Sequence, residues 1–260
     1  EKKALVIMVS DLHAGLEAKN YFNAYNETIL WERMNNYYKK VQEISNLYKP
    51  EKCVVVLCGD LINGALRTSN RLENNQNVIQ QVMLVSDVLS NFISSLAYLF
   101  PYVSVYSTPG NHGRVFQNKE DSIDGENFDV LVSYIIEAKL KEHVNVFVYK
   151  YNEDDTFGTF KLFGKTYLFI HGDKDNPKDV ASKFTMMIGE KPAAILMGHR
   201  HSNGYATYYD CKVIQSGTGA GTDRFAVDHR MNNSPEQIAF ICDSNGVDCV
   251  YDIKLQGDFQ

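Results

Sequence analysis

Short apolar segments that alternate with helix-like segments constrain the fold of this chain most strongly. Residues 4–9, 53–57 and 102–106 are apolar runs of strand length, and small residues follow each of them. Residues 27–48 and 76–100, which lie between these runs, carry apolar residues at helical spacing. Runs that are apolar on both faces are typical of strands buried in a parallel sheet. The first half therefore predicts strand–helix alternation, with a further helix over residues 128–141.

The second half of the chain predicts mostly strands. Short apolar runs, separated by polar or glycine turns, cover residues 144–149, 158–163, 166–170, 193–197, 206–209, 211–215, 237–242 and 247–253. One helix is predicted over residues 181–188, and long loops over 63–75, 113–127 and 172–178. No linker or repeat interrupts the pattern. We therefore expect a single domain over residues 1–260, of the α/β class, with two sheets packed face to face and helices outside them.

Composition and charge exclude several classes of protein. The formal net charge of −6 argues against a broad basic face that grips duplex nucleic acid. The five cysteines are odd in number, form no CxxC pair and lie mostly in strand-like runs, which predicts buried free thiols in a reducing compartment. No apolar run approaches the roughly 18 residues of a membrane-spanning helix. Residues 4–9 leave no room for a signal peptide in this sequence, so we expect a cytoplasmic protein without a membrane partner.

Side chains of the types that bind metals follow five of the predicted strands. Aspartate, asparagine and histidine residues occupy these strand ends, at Asp11, His13, Asp60, Asn111, His171, His199 and His201. Open α/β sheets place their ligand sites at the carboxyl ends of the strands. The pattern therefore predicts one polar site assembled from distant parts of the chain.

The chemistry of these residues favours divalent cations. Carboxylate, imidazole and amide oxygen together suit Mn, Fe or Zn, and a carboxylate such as Asp60 can bridge two ions about 3.5–4 Å apart. Asp11 and His13 are two residues apart, so we expect an extended backbone to direct both towards one face, and the same holds for His199 and His201. Glycines before Asp60 and Asn111 would let the backbone approach the ions closely.

Taken singly, each of these residues has an ordinary structural explanation. An aspartate after a strand is commonly a turn or cap residue, Asn111 beside a glycine can be a left-handed turn, and a lone histidine is usually half-buried and hydrogen-bonded. The ordered set is harder to explain in this way. Five of the seven histidines belong to it, and only His143 and His229 lie outside.

The ordered motifs DxH, GDxxN, GNH, H and GHxH resemble the calcineurin-like metallophosphoesterase superfamily, including its Mre11/SbcD nucleases. The match spans residues 11–201, and residues 217–225 and 233–237 resemble phage-encoded members. The resemblance implies a four-layer α/β/β/α sandwich of two mixed sheets flanked by helices. It also implies two divalent cations, the first held by Asp11, His13, Asp60 and His201, and the second by Asp60, Asn111, His171 and His199. Mn²⁺ is the expected ion, with Fe, Zn, Ni and Mg as alternatives.

The same resemblance implies a catalytic role for His112, which would sit over the leaving-group oxygen as a general acid or stabilise the transition state. Two positions depart from the motifs. Gly113 stands where many members have an acidic residue, and Asn63 stands where the protein-phosphatase branch has an aspartate that orients this histidine. We expect the Asn63 side chain to accept a hydrogen bond from the imidazole without stabilising an imidazolium as a carboxylate would. This departure argues against an ordinary protein phosphatase.

The expected activity is hydrolysis of a phosphoester, most specifically of a phosphodiester. Arg114 follows His112 closely and could bind phosphate through a forked contact, although most loop arginines are simply solvated. The same two interpretations apply to Arg67, Arg71, Arg200 and Arg224. The partner would be a phosphoester substrate, with single-stranded DNA or a nucleotide as candidates, and a DNA exonuclease of the SbcD kind as the sharpest form. The alternatives are a phosphomonoesterase, including a protein or nucleotide phosphatase, a cyclic-nucleotide hydrolase, and a non-catalytic scaffold stabilised by its metals.

Overall fold

The computed structural model of the chain describes residues 2–150 and 152–256. Strands and helices alternate in the first half and strands dominate the second. The helices of the described residues are α1 (Glu27–Tyr48), α2 (Thr68–Glu73), α3 (Val78–Leu99), α4 (Phe128–Leu140), α5 (Val180–Ile188) and α6 (Arg224–Asp228). The strands are β1 (Ala4–Val9), β2 (Ala18–Lys19), β3 (Ala24–Tyr25), β4 (Lys52–Leu57), β5 (Val103–Ser107), β6 (Val146–Tyr149), β7 (Phe157–Leu162), β8 (Lys165–Ile170), β9 (Ala194–Met197), β10 (Gly204–Tyr208), β11 (Cys211–Gln215), β12 (Glu236–Asp243) and β13 (Gly246–Lys254).

Two mixed sheets form the centre of the molecule. The first has six strands in the order β13-β12-β1-β4-β5-β6, in which β1, β4, β5 and β6 are parallel and β12 pairs antiparallel with both β1 and β13. The second has five strands in the order β10-β11-β9-β8-β7, with β8, β9 and β11 parallel. A short hairpin pairs β2 with β3. The predicted site residues lie on the loops that follow β1, β4 and β5 in the first sheet and β8 and β9 in the second.

The alternation of side chains along β1 explains how the layers assemble. Leu5 and Ile7 face helices α1, α3 and α4 in one apolar core, whereas Val6 and Met8 face the second sheet in another. A third core lies between the second sheet and α5, where Ile195 contacts the helix layer. Because strand residues alternate between two apolar faces, β1 must be apolar throughout. The expected four-layer arrangement of helices, sheet, sheet and helix is confirmed.

Helix α3 corrects one sequence expectation. It is long and apolar enough to cross a membrane by length and composition, although no run of that kind was expected. Polar residues such as Gln81 and Ser86 interrupt its apolar sequence, but the mean hydropathy of the helix stays high enough for a membrane-spanning segment. The helix buries Val85, Leu89 and Ile93 in the first core, so its apolar character is explained by packing.

Most predicted elements agree with the structure to within one or two residues at each end. The predicted loop over 63–75 differs, because it contains the short helix α2. The cysteines are free thiols as expected, with Cys53, Cys58, Cys211 and Cys242 buried and Cys249 half-buried.

Candidate metal centre

The predicted polar residues meet at the carboxyl ends of five parallel strands. Three groups of ligand atoms each lie within 4.8 Å of one another: Asp11, His13 and His201; His13, Asp60 and His112; and Asp60, His171 and His199. The amide oxygen of Asn111 lies 3.1 Å from Nε2 of His171 and joins the last group. The structure therefore brings together all seven residues predicted as metal ligands, with Asp60 at the centre.

The backbone at this site differs from the sequence expectation. Four residues were expected in extended backbone, but their φ angles are positive: 52° at Asp11, 46° at His13, 67° at His199 and 59° at His201. Asp60 also has a positive φ, at 51°. Non-glycine residues rarely adopt this left-handed conformation, and such strain concentrates at functional sites. The side chains converge because the chain turns sharply at each strand end, which alternation along a strand does not predict.

Asp11 is held by one oxygen and leaves the other free. Its Oδ2 accepts hydrogen bonds from the Ser10 hydroxyl and from the backbone N–H of His199, the latter at 2.9 Å. Its Oδ1 is buried and, among the described residues, accepts no hydrogen bond. Nε2 of His201 and Nε2 of His13 lie 3.2 and 3.7 Å from this oxygen. An unpaired buried carboxylate oxygen is costly, which makes this atom a strong candidate ligand.

Asp60 is arranged in the same way. Its Oδ1 accepts a hydrogen bond of 2.7 Å from the backbone N–H of His112. Its Oδ2 is buried, accepts no hydrogen bond from the part of the chain that the structure describes, and lies 3.2 Å from Nε2 of His171. Both aspartates therefore present one free oxygen to a cluster of imidazole nitrogens.

The imidazole orientations fit cation binding. Nδ1 of His171 lies 2.7 Å from the carbonyl oxygen of Cys58, which fixes its proton there and directs the Nε2 lone pair into the cluster. Nε2 of His13 and Nε2 of His201 lie only 3.3 Å apart, so their lone pairs repel unless a proton or a cation lies between them.

The electrostatics require positive charge at the same place. Burial opposes a charge on His171, but the nearby Asp60 carboxylate outweighs it and raises the pKa of the imidazole to about 10. Two buried carboxylates thus need compensation by a proton or by a cation. The mixed nitrogen and oxygen donor set fits a divalent cation of the Mn, Fe or Zn type.

Asn63 contacts His112 differently from the prediction. Nδ1 of His112 lies 2.9 Å from the main-chain carbonyl oxygen of Asn63, not from its side chain. The Asn63 side chain instead donates a hydrogen bond of 2.7 Å to Oδ1 of Asn74. Any residue at position 63 offers the same carbonyl, so the difference between asparagine and aspartate does not act on the imidazole directly. The ring of His112 packs 4.6 Å from that of His13, at the edge of the cluster.

Gly113 has a packing explanation. A Cβ atom there would lie 2.1 Å from Oδ1 of Asn127, the N-cap residue of α4. Asn127 also donates a hydrogen bond of 2.8 Å to the carbonyl oxygen of Gly110, and the N–H of Phe128 donates one of 2.8 Å to the carbonyl oxygen of Gly113. The start of α4 therefore occupies the space that a side chain at position 113 would need.

Sequence reasoning missed Asp129, which lies in the first turn of α4. Its buried carboxylate accepts hydrogen bonds from backbone N–H groups of Asp60, Leu61 and Gly110. Burial and the nearby Asp60 charge raise the pKa of Asp129 to about 6. In the sequence it resembles any acidic residue at a helix N-terminus, so no local signal distinguishes it.

Arg114 lies beside the cluster and lines a cavity of about 330 Å³. Its Nε donates a hydrogen bond of 2.9 Å to the carbonyl oxygen of Asn111, and its Nη1 is buried without a hydrogen-bond partner among the described residues. Asn111, His171, Phe157 and Ile170 also line this cavity. The other arginines considered from the sequence, Arg67, Arg71, Arg200 and Arg224, are exposed.

Cation binding should raise the thermal stability of the protein. With Mn²⁺ at about 100 times its Kd, each bound ion stabilises by about 2.7 kcal/mol, which corresponds to a rise in Tm of about 5–10 °C. Differential scanning fluorimetry in EDTA and in Mn²⁺ measures this shift. The Asp11→Asn variant should lose about half of the total shift, the part due to the first ion, whereas Asp87→Asn, at an exposed position on α3, should keep it. Equal Tm values in EDTA and Mn²⁺ would argue against a cation site.

Comparison with known proteins identifies related sequences and folds. The sequence model of one family, described as calcineurin-like phosphoesterase, matches residues 4–250. The SPbeta prophage-derived protein YonJ of Bacillus subtilis (strain 168) is 24% identical over 234 residues, which cover 86% of this chain and 57% of YonJ. The chain thus spans little more than half the length of that relative.

Solved structures of similar fold include an archaeal phosphodiesterase and Vps29 complexed with Zn²⁺ from Entamoeba histolytica. The first has a TM-score of 0.47 and 14% identity, over 96% of this chain and 99% of the other. The second has a TM-score of 0.44 and 10% identity, over 97% of this chain and 99% of the other.

Proposed function

Because the chain belongs to the calcineurin-like phosphoesterase family, we propose that it hydrolyses phosphodiesters with two divalent cations. The observation that carries the proposal is the pair of buried aspartates, each with one free oxygen facing imidazole nitrogens. The residues assigned to the first ion are Asp11, His13, Asp60 and His201, and those assigned to the second are Asp60, Asn111, His171 and His199. Mn²⁺ is the proposed ion, because the donors are mixed oxygen and nitrogen.

Bound divalent cations would supply Lewis acidity towards the phosphate oxygens and lower the pKa of the attacking water. The residues around them have distinct roles. Asp60 lies between the two groups of ligands, and its backbone is fixed by the contacts with Asp129 and Gly110. Its Oδ1 in turn accepts the backbone N–H of His112 and so sets the position of that residue. This arrangement holds His112 at the edge of the cluster.

We assign His112 to the leaving-group oxygen. Its Nδ1 proton is bound to the carbonyl of Asn63, so Nε2 is the nitrogen that faces the cluster. When protonated, this nitrogen can donate to the oxygen that leaves phosphorus. Asn63 contributes through its carbonyl, which fixes the ring orientation.

Arg114 and its cavity support a diester as the substrate. Its buried Nη1 has no hydrogen-bond partner among the described residues, so the guanidinium would gain a contact by turning towards a phosphate oxygen next to the second ion group. The cavity beside Asn111 and His171 offers about 330 Å³, enough for an organic substituent on the phosphate. Among the described residues that line this cavity, His112, assigned to the leaving group, is absent. The cavity would therefore hold the substituent that stays on phosphorus, which a diester has and a monoester lacks. In its more specific form, the proposal is that the substrate is the terminal nucleotide of single-stranded DNA.

The competing functions make different predictions in one assay. We expect the Mn²⁺-loaded protein to cleave bis-p-nitrophenyl phosphate and single-stranded DNA faster than p-nitrophenyl phosphate. Cleavage of the monoester alone would reject both the diesterase and the nuclease. Two bound ions with no turnover on any substrate would instead favour a scaffold stabilised by its metals.

Arg114→Ala should lower kcat/KM for the diester about 10–100-fold, because a hydrogen bond to a charged group contributes about 1.5–3 kcal/mol. Arg71→Ala is the matched control, since Arg71 is exposed on α2, and it should leave kcat/KM nearly unchanged. Steady-state kinetics on bis-p-nitrophenyl phosphate measure both variants. Equal kcat/KM for Arg114→Ala and the wild type would remove Arg114 from the substrate site.

A further inference from the structure

We propose that Asp129 is a positioning residue for the second ion, acting through the backbone of the two loops that carry Asp60 and Asn111. The inference rests on the proposed function, because it concerns the same ion site. It assigns a role to a residue on α4, outside all of the motifs that the ligands occupy.

The contacts of the Asp129 carboxylate are made almost entirely with these loops. Its Oδ2 accepts hydrogen bonds of 2.9 Å from the backbone N–H of Asp60 and 2.9 Å from that of Gly110. Its Oδ1 accepts one of 3.2 Å from the N–H of Leu61. One buried side chain therefore bridges the end of β4 to the end of β5.

The loops that it joins approach each other closely. A Cβ atom at Gly110 would lie 2.2 Å from both the backbone nitrogen and Oδ1 of Asp60. Asp60 itself has the strained left-handed conformation, with φ at 51°. Strained backbone persists only where surrounding contacts fix it. The backbone N–H groups of Asp60 and Leu61 both donate hydrogen bonds to the Asp129 carboxylate. Hydrogen bonds to a charged carboxylate are strong contacts of this kind.

Asp129 is itself held in place by the start of its helix. Its backbone N–H donates a hydrogen bond of 2.9 Å to Oδ1 of Asn127. Nδ2 of Asn127 donates a hydrogen bond to the carbonyl oxygen of Gly110. Asp129 accepts one from the N–H of the same glycine, so these two residues hold the peptide groups before and after Gly110. Asn111 follows directly, and its amide oxygen faces His171. The position of Asn111 thus depends on α4 even though its ligand atom does not contact the helix.

The inference predicts a selective effect on one ion. The second ion depends on Asp60, Asn111, His171 and His199, two of which lie on the loops that Asp129 joins. The first ion shares Asp60 but otherwise depends on Asp11, His13 and His201, which lie on other loops. Loss of the Asp129 carboxylate should therefore lower the affinity for the second ion more than the affinity for the first. A general loss of stability would lower both affinities.

The test measures Mn²⁺ binding to purified Asp129→Asn by calorimetry and by electron paramagnetic resonance. The asparagine keeps the size but places an NH₂ group against a backbone N–H, so at least one of the three bonds is lost. We expect the affinity for one ion to fall about 10–100-fold, as for other residues that orient metal ligands. The spin-coupled signal of an ion pair should give way to that of a single Mn²⁺ at intermediate concentrations.

Ser133→Ala is the matched control, because Ser133 is buried on the same helix and its hydroxyl hydrogen-bonds to the Ser107 side chain, not to the backbone of Asp60 or Gly110. It should lower Tm without changing the affinity ratio of the two ions. Asn127→Ser is a milder variant that keeps an N-cap side chain and loses the reach to Gly110. It should lower the affinity for the same ion to a smaller extent, and it serves as the test variant if Asp129→Asn does not fold.

Two outcomes would overturn the proposal. One is wild-type affinity for both ions in Asp129→Asn or, where that variant does not fold, in Asn127→Ser. The other is an equal loss of both ions. Binding is measured without turnover, so a wild-type protein that binds two ions but cleaves no phosphoester would reject the proposed function and leave this test intact.

Discussion

The Asp60→Asn variant is expected to lose at least about a thousand-fold in kcat on bis-p-nitrophenyl phosphate. Asp60 is assigned to both ions, and its buried Oδ2 has no hydrogen-bond partner among the described residues. The Lewis acidity of the ions is worth several kcal/mol in the transition state, and each 1.36 kcal/mol corresponds to a factor of ten in rate. An amide is a weaker ligand than a carboxylate and cannot supply the bridging charge. Steady-state kinetics in saturating Mn²⁺ measure the effect.

The control for this variant is Asp87→Asn, which removes an exposed carboxylate that pairs with Lys139 at 2.8 Å, on the surface of α3. It should retain wild-type kcat, since exposed ion pairs contribute about 1 kcal/mol or less to stability. Equal Tm values for the two variants in EDTA would exclude unfolding as the cause of the loss. Activity that survives Asp60→Asn would reject the proposed two-cation mechanism.

The His112→Ala variant should show the second largest effect, and the effect should depend on the leaving group. General acid catalysis contributes about a hundred- to ten-thousand-fold, and it matters most when the leaving oxygen is strongly basic. We therefore expect a large loss of kcat on single-stranded DNA, where an alkoxide leaves. The loss on bis-p-nitrophenyl phosphate should be much smaller, because nitrophenoxide leaves readily without a proton.

His143→Ala provides the comparison, because His143 hydrogen-bonds to Ser94 on α3 and lies outside the cluster. Kinetics on both substrates should match those of the wild type. An equal loss for His112→Ala on the two substrates would contradict a role as general acid. It would favour a role in holding Asp60, whose Oδ1 accepts the backbone N–H of His112.

The sequence was informative wherever an element is long or a residue type is distinctive. The bounds of β1 and α1 follow from the apolar runs and the helical spacing, and these agree with the structure. The seven ligand types follow buried strands in order, so their meeting at one edge follows from the rule for parallel strands. The side chains of Asp11 and His201 could thus be placed at one site from the sequence alone.

The local geometry of the site could not be predicted in the same way. The left-handed turns at Asp11 and Asp60 depend on tertiary contacts, such as the approach of Gly110 to Asp60, and leave no periodic signal. The Asn63 side chain was misassigned because the sequence identifies a residue but not which of its atoms makes the contact. Asp129 acts on loops that precede it by about twenty to seventy positions, so its role appears only in the folded chain.

Family membership and site geometry support different parts of the account. The family match establishes a calcineurin-like phosphoesterase domain over residues 4–250. The preference for a diester rests on this chain's own features, namely the unpaired Nη1 of Arg114 and the cavity beside Asn111. The expectation of one domain over residues 1–260 stays a prediction, which limited proteolysis of the purified chain can address.

The seven residues are proposed to hold two cations around Asp60. A crystal structure of the protein with Mn²⁺, with anomalous scattering recorded at the Mn edge, would locate the ions. We expect two anomalous peaks about 3.5–4 Å apart, both in contact with Asp60. One peak should lie against Asp11, His13 and His201, and the other against Asn111, His171 and His199. A single peak, or peaks that do not contact Asp60, would reject the two-cation site.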